Sequence, residues 1–529
     1  MRRHRIAALA ALVGLAVGGT AIPASAASNT VISTDHGQVR GVATADSVVY
    51  NGIPYARAPV GALRWQLPRP AQAWSGVRDA SRPGPACTQG AADGSGQLPG
   101  SSEDCLYLNV TTPIGRAEGS RPVVVWFHGG GFSSGAGSDY TPTRMAQVGD
   151  VDVVTVNSRL GVFGFFGQPG LPGSGDFGLA DQQAALRWVR ANAAAFGGDP
   201  GNVTIAGESS GGGSVCAQLL SPGSTGLFQR AIIQSGSCLE SWPRNMLSPD
   251  TAPSTFWESA RTVENNGAAA ATTLGCTSGD VLGCLRRIPA AQLLSLNGTF
   301  HFPAFGTPTL PLDPQVALRI GAWHRVPVLQ GNTQDEQRFF TPPFETDGPI
   351  TEAQYQQLLA GGFDPPEAAK VAAEYPSSAY GSPELAWAAV GTDRAFVCTS
   401  LTADRQLARH VPTFSYEFAD RTAPSLPAYF PPWFPSGAYH GSELVYLFDI
   451  APETFADLSP AQQQLATAMV TYWTSFARTG NPNTPGLPSW PAFHQAGTPS
   501  AQAFATGVGG IRPVDLGAEH HCDFWAGIA

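Results

Sequence analysis

Residues 207–214 read GESSGGGS, in which two adjacent serines lie among glycines. The glycines are compatible with a flexible loop, but the order G-x-S-x-G at 207–211 is also typical of a sharp turn that presents a nucleophilic serine. Glycines suit such a turn because they let the flanking strand and helix approach it closely. Ser209 is then the candidate nucleophile, whereas Ser210 fits less well because it lacks glycine at both two-residue offsets.

The sequence on either side of the turn decides between the two interpretations. The segment NVTIAG (202–207) has the apolar character of a buried strand, and GSVCAQLLS (213–221) reads as a helix. A serine between a strand and a helix has the context that gives the motif its meaning. Its hydroxyl also lies at the positive end of the helix dipole. We therefore expect a catalytic serine rather than a flexible loop.

A serine hydroxyl needs a base, a group that orients the base and donors for the oxyanion. The run HGGGF (128–132) follows the apolar strand VVVWF (123–127) and matches a known oxyanion motif. A glycine run after a strand can also be an ordinary turn. In the catalytic interpretation, the backbone N–H groups of Gly130, Gly131 and Ser210 bind the oxyanion.

Enzymes with this turn place the acid after the serine and the histidine last in the chain. The segment VPVLQGNTQDEQRFF (326–340) puts Asp335 and Glu336 just beyond an apolar strand. Spacing alone does not separate these two acids, and both could belong to a solvated turn. His440 is the best-placed base, because it lies in a glycine-flanked loop between an aromatic run and a helix. The other histidines after the acid are His410, His494, His520 and His521.

Alternating strands and helices must position these residues. Apolar runs predict buried strands, and amphipathic segments at 179–198 and 459–480 predict long helices. The predicted strands cover 123–127, 151–157, 202–207, 230–236, 326–332 and 413–418. Nearly continuous apolar strands indicate an α/β fold with a large, mostly parallel central sheet flanked by helices. We expect one domain over 27–529, with long insertions at about 240–400 that shape the mouth of the site.

Composition limits the class of protein. The chain has 529 residues, a formal net charge of −10 and 43% hydrophobic residues, which indicates a packed protein and argues against a nucleic-acid partner. The basic start MRRHR, an apolar run and the A-x-A site at 24–26 predict a signal peptide over 1–26. No other apolar stretch is long enough for a membrane anchor, so we expect a secreted, soluble protein. The sequence does not indicate an oligomeric state.

Eight cysteines in a secreted chain favour disulfides over a metal site, because no C-x-x-C pair and no Cys–His cluster occurs. Cys87–Cys105 and Cys276–Cys284 would close short loops, and Cys398–Cys522 would tie the C-terminus to an upstream helix. Spacing alone does not fix this connectivity.

The chain is similar to the type-B carboxylesterases, α/β-hydrolases that include carboxylesterases, cholinesterases and lipases. The similarity runs from about residue 30 to the C-terminus. It is carried by NGIPYARAPVGALRWQLPRPAQAW (51–74), SEDCLYLNV (102–110) and GLADQQAALRWVRANAAAFGGDPGNVTIAGESSGG (178–212).

This resemblance implies Ser209 as nucleophile, Glu336 as acid and His440 as base. It further implies Gly130, Gly131 and Ser210 as oxyanion donors, and the disulfides Cys87–Cys105, Cys276–Cys284 and Cys398–Cys522. Cys216 and Cys238 have no widespread counterpart, so their pairing stays open. Ser210 stands where the family commonly has Ala, which matters little because only its N–H is needed.

The expected function is hydrolysis of a carboxylic ester through an acyl-enzyme, with no metal or organic cofactor. A lipase or sterol esterase of the same family is the alternative, because YFPPWFPSGAYH (429–440) carries five aromatic residues just before the base. These aromatics could line a gorge for the substrate or simply pack a Pro-rich loop. A second alternative is a binding protein that keeps the fold, against which the complete set Ser209, Glu336 and His440 argues. The expected partner is thus a small-molecule or lipid ester.

Overall fold

The computed structural model describes residues 30–114, 120–345, 348–426, 429–450, 456–493 and 501–528. The predicted signal peptide at 1–26 and the candidate His494 lie outside these residues. Within the described part of the chain, no helix has both the length and the apolar character needed to cross a bilayer.

The dominant feature is one sheet that contains eleven of the strands in the described residues. The strands are Val31–Thr34 (β1), Gly37–Arg40 (β2), Val42–Ala43 (β3), Ser47–Pro54 (β4), Val77–Asp79 (β5), Tyr107–Pro113 (β6), Arg121–Phe127 (β7), Asp152–Val156 (β8), Gly198–Glu208 (β9), Arg230–Gln234 (β10), Ser241–Trp242 (β11), Ser254–Thr255 (β12), Glu258–Ser259 (β13), Ala304–Phe305 (β14), Val328–Thr333 (β15), Thr413–Phe418 (β16), Ala501–Phe504 (β17) and Ile511–Val514 (β18). The order across the large sheet is β18-β17-β16-β15-β10-β9-β7-β8-β6-β4-β3.

The centre of this sheet is parallel and its edges are antiparallel. Every neighbouring pair from β17 to β8 is parallel. The outer pairs β17–β18, β8–β6, β6–β4 and β4–β3 are antiparallel. The six strands expected from apolar runs all lie in the parallel block, because strands covered on both faces are apolar throughout. The expectation of a mostly parallel sheet therefore describes the centre, and the whole sheet is mixed.

The helices cover both faces of the sheet. They are Thr143–Gly149 (α1), Gly161–Phe165 (α2), Phe177–Phe196 (α3), Ser210–Leu220 (α4), Ala260–Thr273 (α5), Val281–Arg286 (α6), Ala290–Leu293 (α7), Pro314–Ile320 (α8), Glu352–Gly362 (α9), Pro365–Glu374 (α10), Ser377–Tyr380 (α11), Pro383–Gly391 (α12), Cys398–Leu407 (α13), Leu444–Leu447 (α14), Pro460–Thr479 (α15), Leu516–Glu519 (α16) and Cys522–Trp525 (α17). The two long predicted helices correspond to α3 and α15. The side chain of Ser459 caps the start of α15, and Gly480 at φ 78° ends it.

Alternation along the central strands divides the core into two layers. In β7, Val123 and Val125 belong to the layer that contains Trp188 of α3. Val124 and Trp126 belong to the opposite layer. Successive side chains of a strand point to opposite faces, so a single apolar run supplies both layers. This arrangement makes the sheet a rigid support for whatever follows its strand ends.

The carboxyl ends of β7, β9 and β15 meet at one edge of the sheet, because these strands are parallel and close together. The glycine run 129–131 follows β7, Ser209 follows β9, and Glu336 follows β15. Ligands of α/β sheets bind at this edge. The segment of about 240–400 expected to hold insertions also contains the sheet strand β15, so the added elements lie before and after it.

Candidate active site

Ser209 occupies the turn between β9 and α4 in a conformation that L-residues rarely adopt, with φ 55° and ψ −126°. Such backbone strain costs on the order of 1–3 kcal/mol and is common at active sites. The flanking glycines are needed because a β-carbon at Gly207 would collide with the carbonyl of Gly211, and one at Gly211 with the carbonyl of Phe127. The G-x-S-x-G spacing is thus required by the packing of this turn.

His440 and Glu336 form a buried hydrogen-bonded pair. The Nδ1 atom of His440 lies 2.6 Å from Oε2 of Glu336. The other carboxylate oxygen, Oε1, accepts a hydrogen bond of 2.8 Å from the backbone N–H of Thr333. Both carboxylate oxygens are therefore engaged, which fixes the carboxylate and favours the imidazole tautomer that carries its proton on Nδ1.

Asp335 points away from His440 and anchors the loop that carries it. Its carboxylate pairs with Arg421 at 2.8 Å and with Arg338 at 3.0 Å. Its backbone N–H donates to the carbonyl of Ala438 at 2.9 Å, and its Oδ2 accepts from the N–H of Ala438 at 3.0 Å. The two adjacent acids, which spacing could not separate, thus have different partners: Glu336 contacts the imidazole, and Asp335 the backbone two residues before it.

Ser209 and His440 line the same cavity of about 610 Å³. Within the described residues the Ser209 hydroxyl forms no hydrogen bond with the imidazole, and Nε2 of His440 has no hydrogen-bond partner. Catalytic hydrogen bonds are often long in the unliganded enzyme and shorten when substrate binds. Although Nε2 of His440 forms no hydrogen bond in the described part of the chain, the side of the imidazole that would receive the serine proton also faces Oε1 of Glu208 at 3.2 Å.

The glycine run after β7 lies beside Ser209. Gly130 and Gly131 adopt φ 105° and 61°, and a β-carbon at Gly129 would lie 3.3 Å from the Cβ of Ser209. Within the described loops, neither Gly130 nor Gly131 donates its N–H to another backbone group. Ser210 is the first residue of α4, where helix N–H groups have no partner in the preceding turn. The glycine run thus lies beside Ser209 in space, and Ser210 follows Ser209 directly in the chain.

Sequence reasoning did not identify the carboxylates that surround His440 besides Glu336. Oε1 of Glu208 lies 3.2 Å from Nε2 of His440. Oε1 of Glu443 accepts a hydrogen bond of 3.1 Å from Gln234. Both glutamates are buried. Glu208 is adjacent to the serine and could have been noticed, whereas Glu443 reads as an ordinary residue before a short helix.

Burial and charge shift the pKa values of this cluster. Burial lowers the pKa of His440, but the surrounding carboxylates raise it more strongly, to about 9. These carboxylates belong to Glu208, Glu336 and Glu443. Burial raises the pKa of Glu208 to about 7 against the opposing effect of His440. Burial, together with the neighbouring carboxylates, raises the pKa of Glu443 to about 8.

The walls of the cavity are mostly apolar. Phe340, Phe396 and Phe339 lie with ring centroids 5.1, 5.5 and 6.0 Å from that of His440. Other apolar lining residues are Trp242, Leu247, Phe256, Phe302, Leu426, Tyr439 and Leu444. Of the aromatic run 429–440, Tyr439 lines the cavity, so most of its aromatic wall comes from other segments. A cavity with such walls has room for the apolar part of a ligand.

Four disulfides occur in the described residues. They join Cys87 to Cys105, Cys216 to Cys238, Cys276 to Cys284 and Cys398 to Cys522. The bond between Cys216 and Cys238 answers the pairing that the sequence left open. No group of three or more His, Cys, Asp or Glu side chains in the described residues is arranged to hold a metal ion.

Known proteins resemble this chain over almost its whole length. The model of the Carboxylesterase family matches residues 28–525. The chain is 34% identical to the para-nitrobenzyl esterase of Bacillus subtilis (strain 168), over 88% of this chain and 93% of that protein. It is 33% identical to the cocaine esterase of Homo sapiens, over 94% of this chain and 92% of that protein. Carboxylesterase 3 of Homo sapiens is 34% identical, over 92% of this chain and 90% of that protein.

The family match and the named relatives agree with the mixed sheet and with the cavity at the carboxyl ends of its strands. The chain therefore belongs to the carboxylesterase family, has the α/β-hydrolase fold and is a carboxylic ester hydrolase.

Proposed function

We propose that the protein is a secreted serine esterase in which Ser209, His440 and Glu336 act as nucleophile, base and acid. The observation that carries this proposal is the strained turn at Ser209, which opens into the cavity where His440 is held by the buried Glu336. A serine in such a turn, a base in the same cavity and a carboxylate that orients the base are the parts that acyl transfer requires.

In this mechanism, Nε2 of His440 takes the proton of the Ser209 hydroxyl as its oxygen attacks the ester carbonyl. Glu336 keeps Nδ1 protonated and stabilises the imidazolium that forms. The carbonyl oxygen becomes an oxyanion and receives hydrogen bonds from the N–H groups of Gly130, Gly131 and Ser210. The imidazolium then protonates the departing alcohol. In the second half of the reaction, Nε2 of His440 takes a proton from water as the water oxygen attacks the acyl carbonyl. The imidazolium then returns this proton to the Ser209 oxygen, and the carboxylic acid is released.

The proposal is tested with Ser209→Ala on a nitrophenyl ester. We expect kcat to fall by a factor on the order of 10⁶, because removal of a triad serine leaves only binding and oxyanion stabilisation. Ser210→Ala is the matched control, since it changes the adjacent hydroxyl and keeps the N–H. Undiminished turnover in Ser209→Ala would overturn the assignment. A fluorophosphonate probe that labels the wild type but not Ser209→Ala would support it and would exclude a purely binding protein.

The apolar walls of the cavity make the acyl chain length the next question. Nitrophenyl esters from acetyl to oleoyl, assayed above and below micelle formation, distinguish an esterase from a lipase or sterol esterase. Activity on dissolved short esters supports the esterase. A sharp rise at the interface with long chains supports the alternative.

Secretion is supported by the sequence pattern at 1–26 and by four disulfides, which persist in oxidising compartments. The test is expression in the native type of host followed by N-terminal sequencing of protein from the medium. We expect the mature chain to begin at Ala27. Retention of the activity inside the cell with an intact N-terminus would contradict this part of the proposal.

A further inference from the structure

The cavity contains a carboxyl group that the proposed mechanism does not use. Glu240 lines the cavity together with Ser209 and His440, yet its side chain is only 1% exposed and neither carboxyl oxygen has a hydrogen-bond partner in the described residues. A buried polar group without a partner is unusual in a folded protein and needs an explanation. A substrate group is one source of the missing partner.

The described residues supply no hydrogen-bond partner for the carboxyl group of Glu240. Among the described residues that line the cavity there is no Arg or Lys. Trp242 and Phe256, which line the same cavity, pack edge-to-face with ring centroids 4.9 Å apart. His440 already contacts Glu336 and Glu208. Glu240 therefore lies in a mostly apolar cavity with neither carboxyl oxygen satisfied by a described residue.

The position of Glu240 is fixed from both sides. On one side, the disulfide Cys216–Cys238 joins its segment to α4, the helix that begins next to Ser209. The indole N–H of Trp257 also donates to the carbonyl of Cys238 at 3.0 Å. On the other side, β11 pairs with β12 in an antiparallel ladder. The backbone that carries Glu240 is therefore fixed relative to the helix that begins beside the proposed nucleophile.

The protonation of Glu240 agrees with a role in recognition. Burial raises its pKa well above the usual value, and the charges of Glu336 and Glu208 add to this effect. The nearby backbone of Ser237 opposes this rise in the pKa of Glu240. It nevertheless forms no hydrogen bond with the carboxyl oxygens. The neutral carboxyl has an acceptor oxygen for a hydroxyl group. A cationic substrate would instead favour its ionised form.

Building on the proposed function, we propose that Glu240 is a specificity residue that accepts a hydrogen bond from a hydroxyl or ammonium group on an otherwise apolar ester. Such an ester satisfies the orphaned carboxyl, whereas an apolar ester of the same length leaves it unsatisfied. A site built to hydrogen-bond a substrate discriminates against the analogue that lacks the group. We expect a preference of roughly 10- to 100-fold in kcat/KM for the donor-bearing ester.

The test uses matched esters on the full-length protein. Nitrophenyl esters of ω-hydroxy and ω-amino acids of three to six carbons are compared with the apolar acyl esters of equal length. The acetates of diols and amino alcohols of the same lengths are compared with simple alkyl acetates. The first series examines a donor on the acyl side, and the second a donor on the alcohol side.

Two variants of Glu240 and one control variant test whether Glu240 causes the preference for donor-bearing esters. Glu240→Leu removes the polar atoms and should abolish the preference for donors while it retains or improves turnover of the apolar esters. Glu240→Gln keeps an acceptor oxygen but cannot ionise, so it should keep a preference for hydroxyl and lose any preference for ammonium. Glu258→Gln is the control, because Glu258 belongs to the same region and is partly buried but does not line the cavity.

The outcomes separate this inference from the proposed function. Turnover of the apolar reference esters and fluorophosphonate labelling of Ser209 report on the proposed function alone. A donor preference in either series that disappears in Glu240→Leu and survives in Glu258→Gln supports the role of Glu240. Absence of any donor preference in the wild type, or a preference that Glu240→Leu leaves unchanged, overturns it.

Discussion

The Nε2 atom of His440 lies 3.2 Å from Oε1 of Glu208, the residue that precedes Ser209. Glu208 is therefore close both to the proposed nucleophile in the chain and to the proposed base in space. Its carboxylate faces the nitrogen that has to accept the serine proton. A negative charge in this place stabilises the imidazolium, because opposite charges at this distance in a buried site interact strongly. The resting site should consequently hold a protonated histidine at neutral pH.

This contact predicts an alkaline pH dependence. A base must be neutral to accept a proton, and the pKa of His440 is raised to about 9. Activity should therefore fall as the pH drops through about 9 and reach a plateau above it. The measurement is kcat/KM against pH, which reports the ionisation of the free enzyme.

Glu208→Gln should move the rising limb of this profile to lower pH, because it removes one of the charges that raise the pKa of His440. Glu336 and Glu443 remain in this variant, so the pKa should stay above that of a free imidazole. Glu258→Gln is the control and should leave the profile unchanged. A limb that stays in place in Glu208→Gln would show that Glu208 does not influence the proposed base.

The two neighbouring acids should give opposite phenotypes. Glu336→Gln should lower kcat by a factor on the order of 10⁴, because the amide favours the wrong tautomer of His440. Its effect on unfolding should be smaller than that of Asp335→Asn, which weakens the pairs with Arg421 and Arg338. Each hydrogen bond to a charged group contributes about 1.5–3 kcal/mol. Steady-state kinetics and thermal unfolding of both variants test the prediction, and the same loss of kcat in both would contradict it.

Two glycines of the run, Gly130 and Gly131, should tolerate a methyl group differently. A β-carbon at Gly130 would collide with the backbone carbonyl of Ser134, whereas at Gly131 it would make only an ordinary contact of 3.8 Å with Oγ of Ser133, in addition to the strain of a positive φ. Gly130→Ala should therefore displace the loop and lower kcat by a factor on the order of 10²–10³, the usual cost of one oxyanion donor. Gly131→Ala should have a smaller effect. Gly94→Ala, at φ 71° in open space and outside the cavity lining, is the control for backbone strain alone.

Local sequence patterns predicted many of the strands, helix ends and turns that position the site. The apolar runs of the parallel block, the cap at Ser459 and the stop at Gly480 were all readable, because each depends on neighbouring residues. The turn at Ser209 was readable for the same reason. The antiparallel edge at β4 and β6 was not, since these strands mix buried with partly exposed positions and lack a continuous apolar run.

Contacts between distant segments could not be predicted in this way. Nothing in the sequence around Glu240 indicates a buried carboxyl, because its burial results from β11, β12 and a disulfide that meet only in the folded chain. His520 is a second example. It stands between Glu519 and His521, a polar setting that gives no sign of burial, yet it is buried.

His520 joins the C-terminal segment to the sheet through two carboxylates. Its Nδ1 lies 2.5 Å from Oδ1 of Asp393, and its Nε2 lies 2.6 Å from Oε1 of Glu417 in β16. Burial lowers the pKa of His520, but these two acids raise it well above the usual value. The buried imidazolium thus has an acidic partner at each of its two ring nitrogens. Removal of one partner from such a group is strongly destabilising, because it leaves uncompensated charge in the interior.

His520→Ala should therefore lower the free energy of unfolding by about 3–5 kcal/mol at pH 6. Since the folded-state pKa is raised, the stabilisation by His520 is complete below its unfolded pKa of about 6.5 and is lost as the pH rises through the folded value. The difference in the free energy of unfolding between the wild type and His520→Ala should consequently become smaller from pH 6 to pH 9. Denaturant titrations at both pH values measure this difference. His410→Ala is the control, because His410 is exposed, and its free energy of unfolding should match that of the wild type at both pH values. If this difference in unfolding free energy is absent at pH 6, or grows with pH, then a protonated His520 does not stabilise the fold.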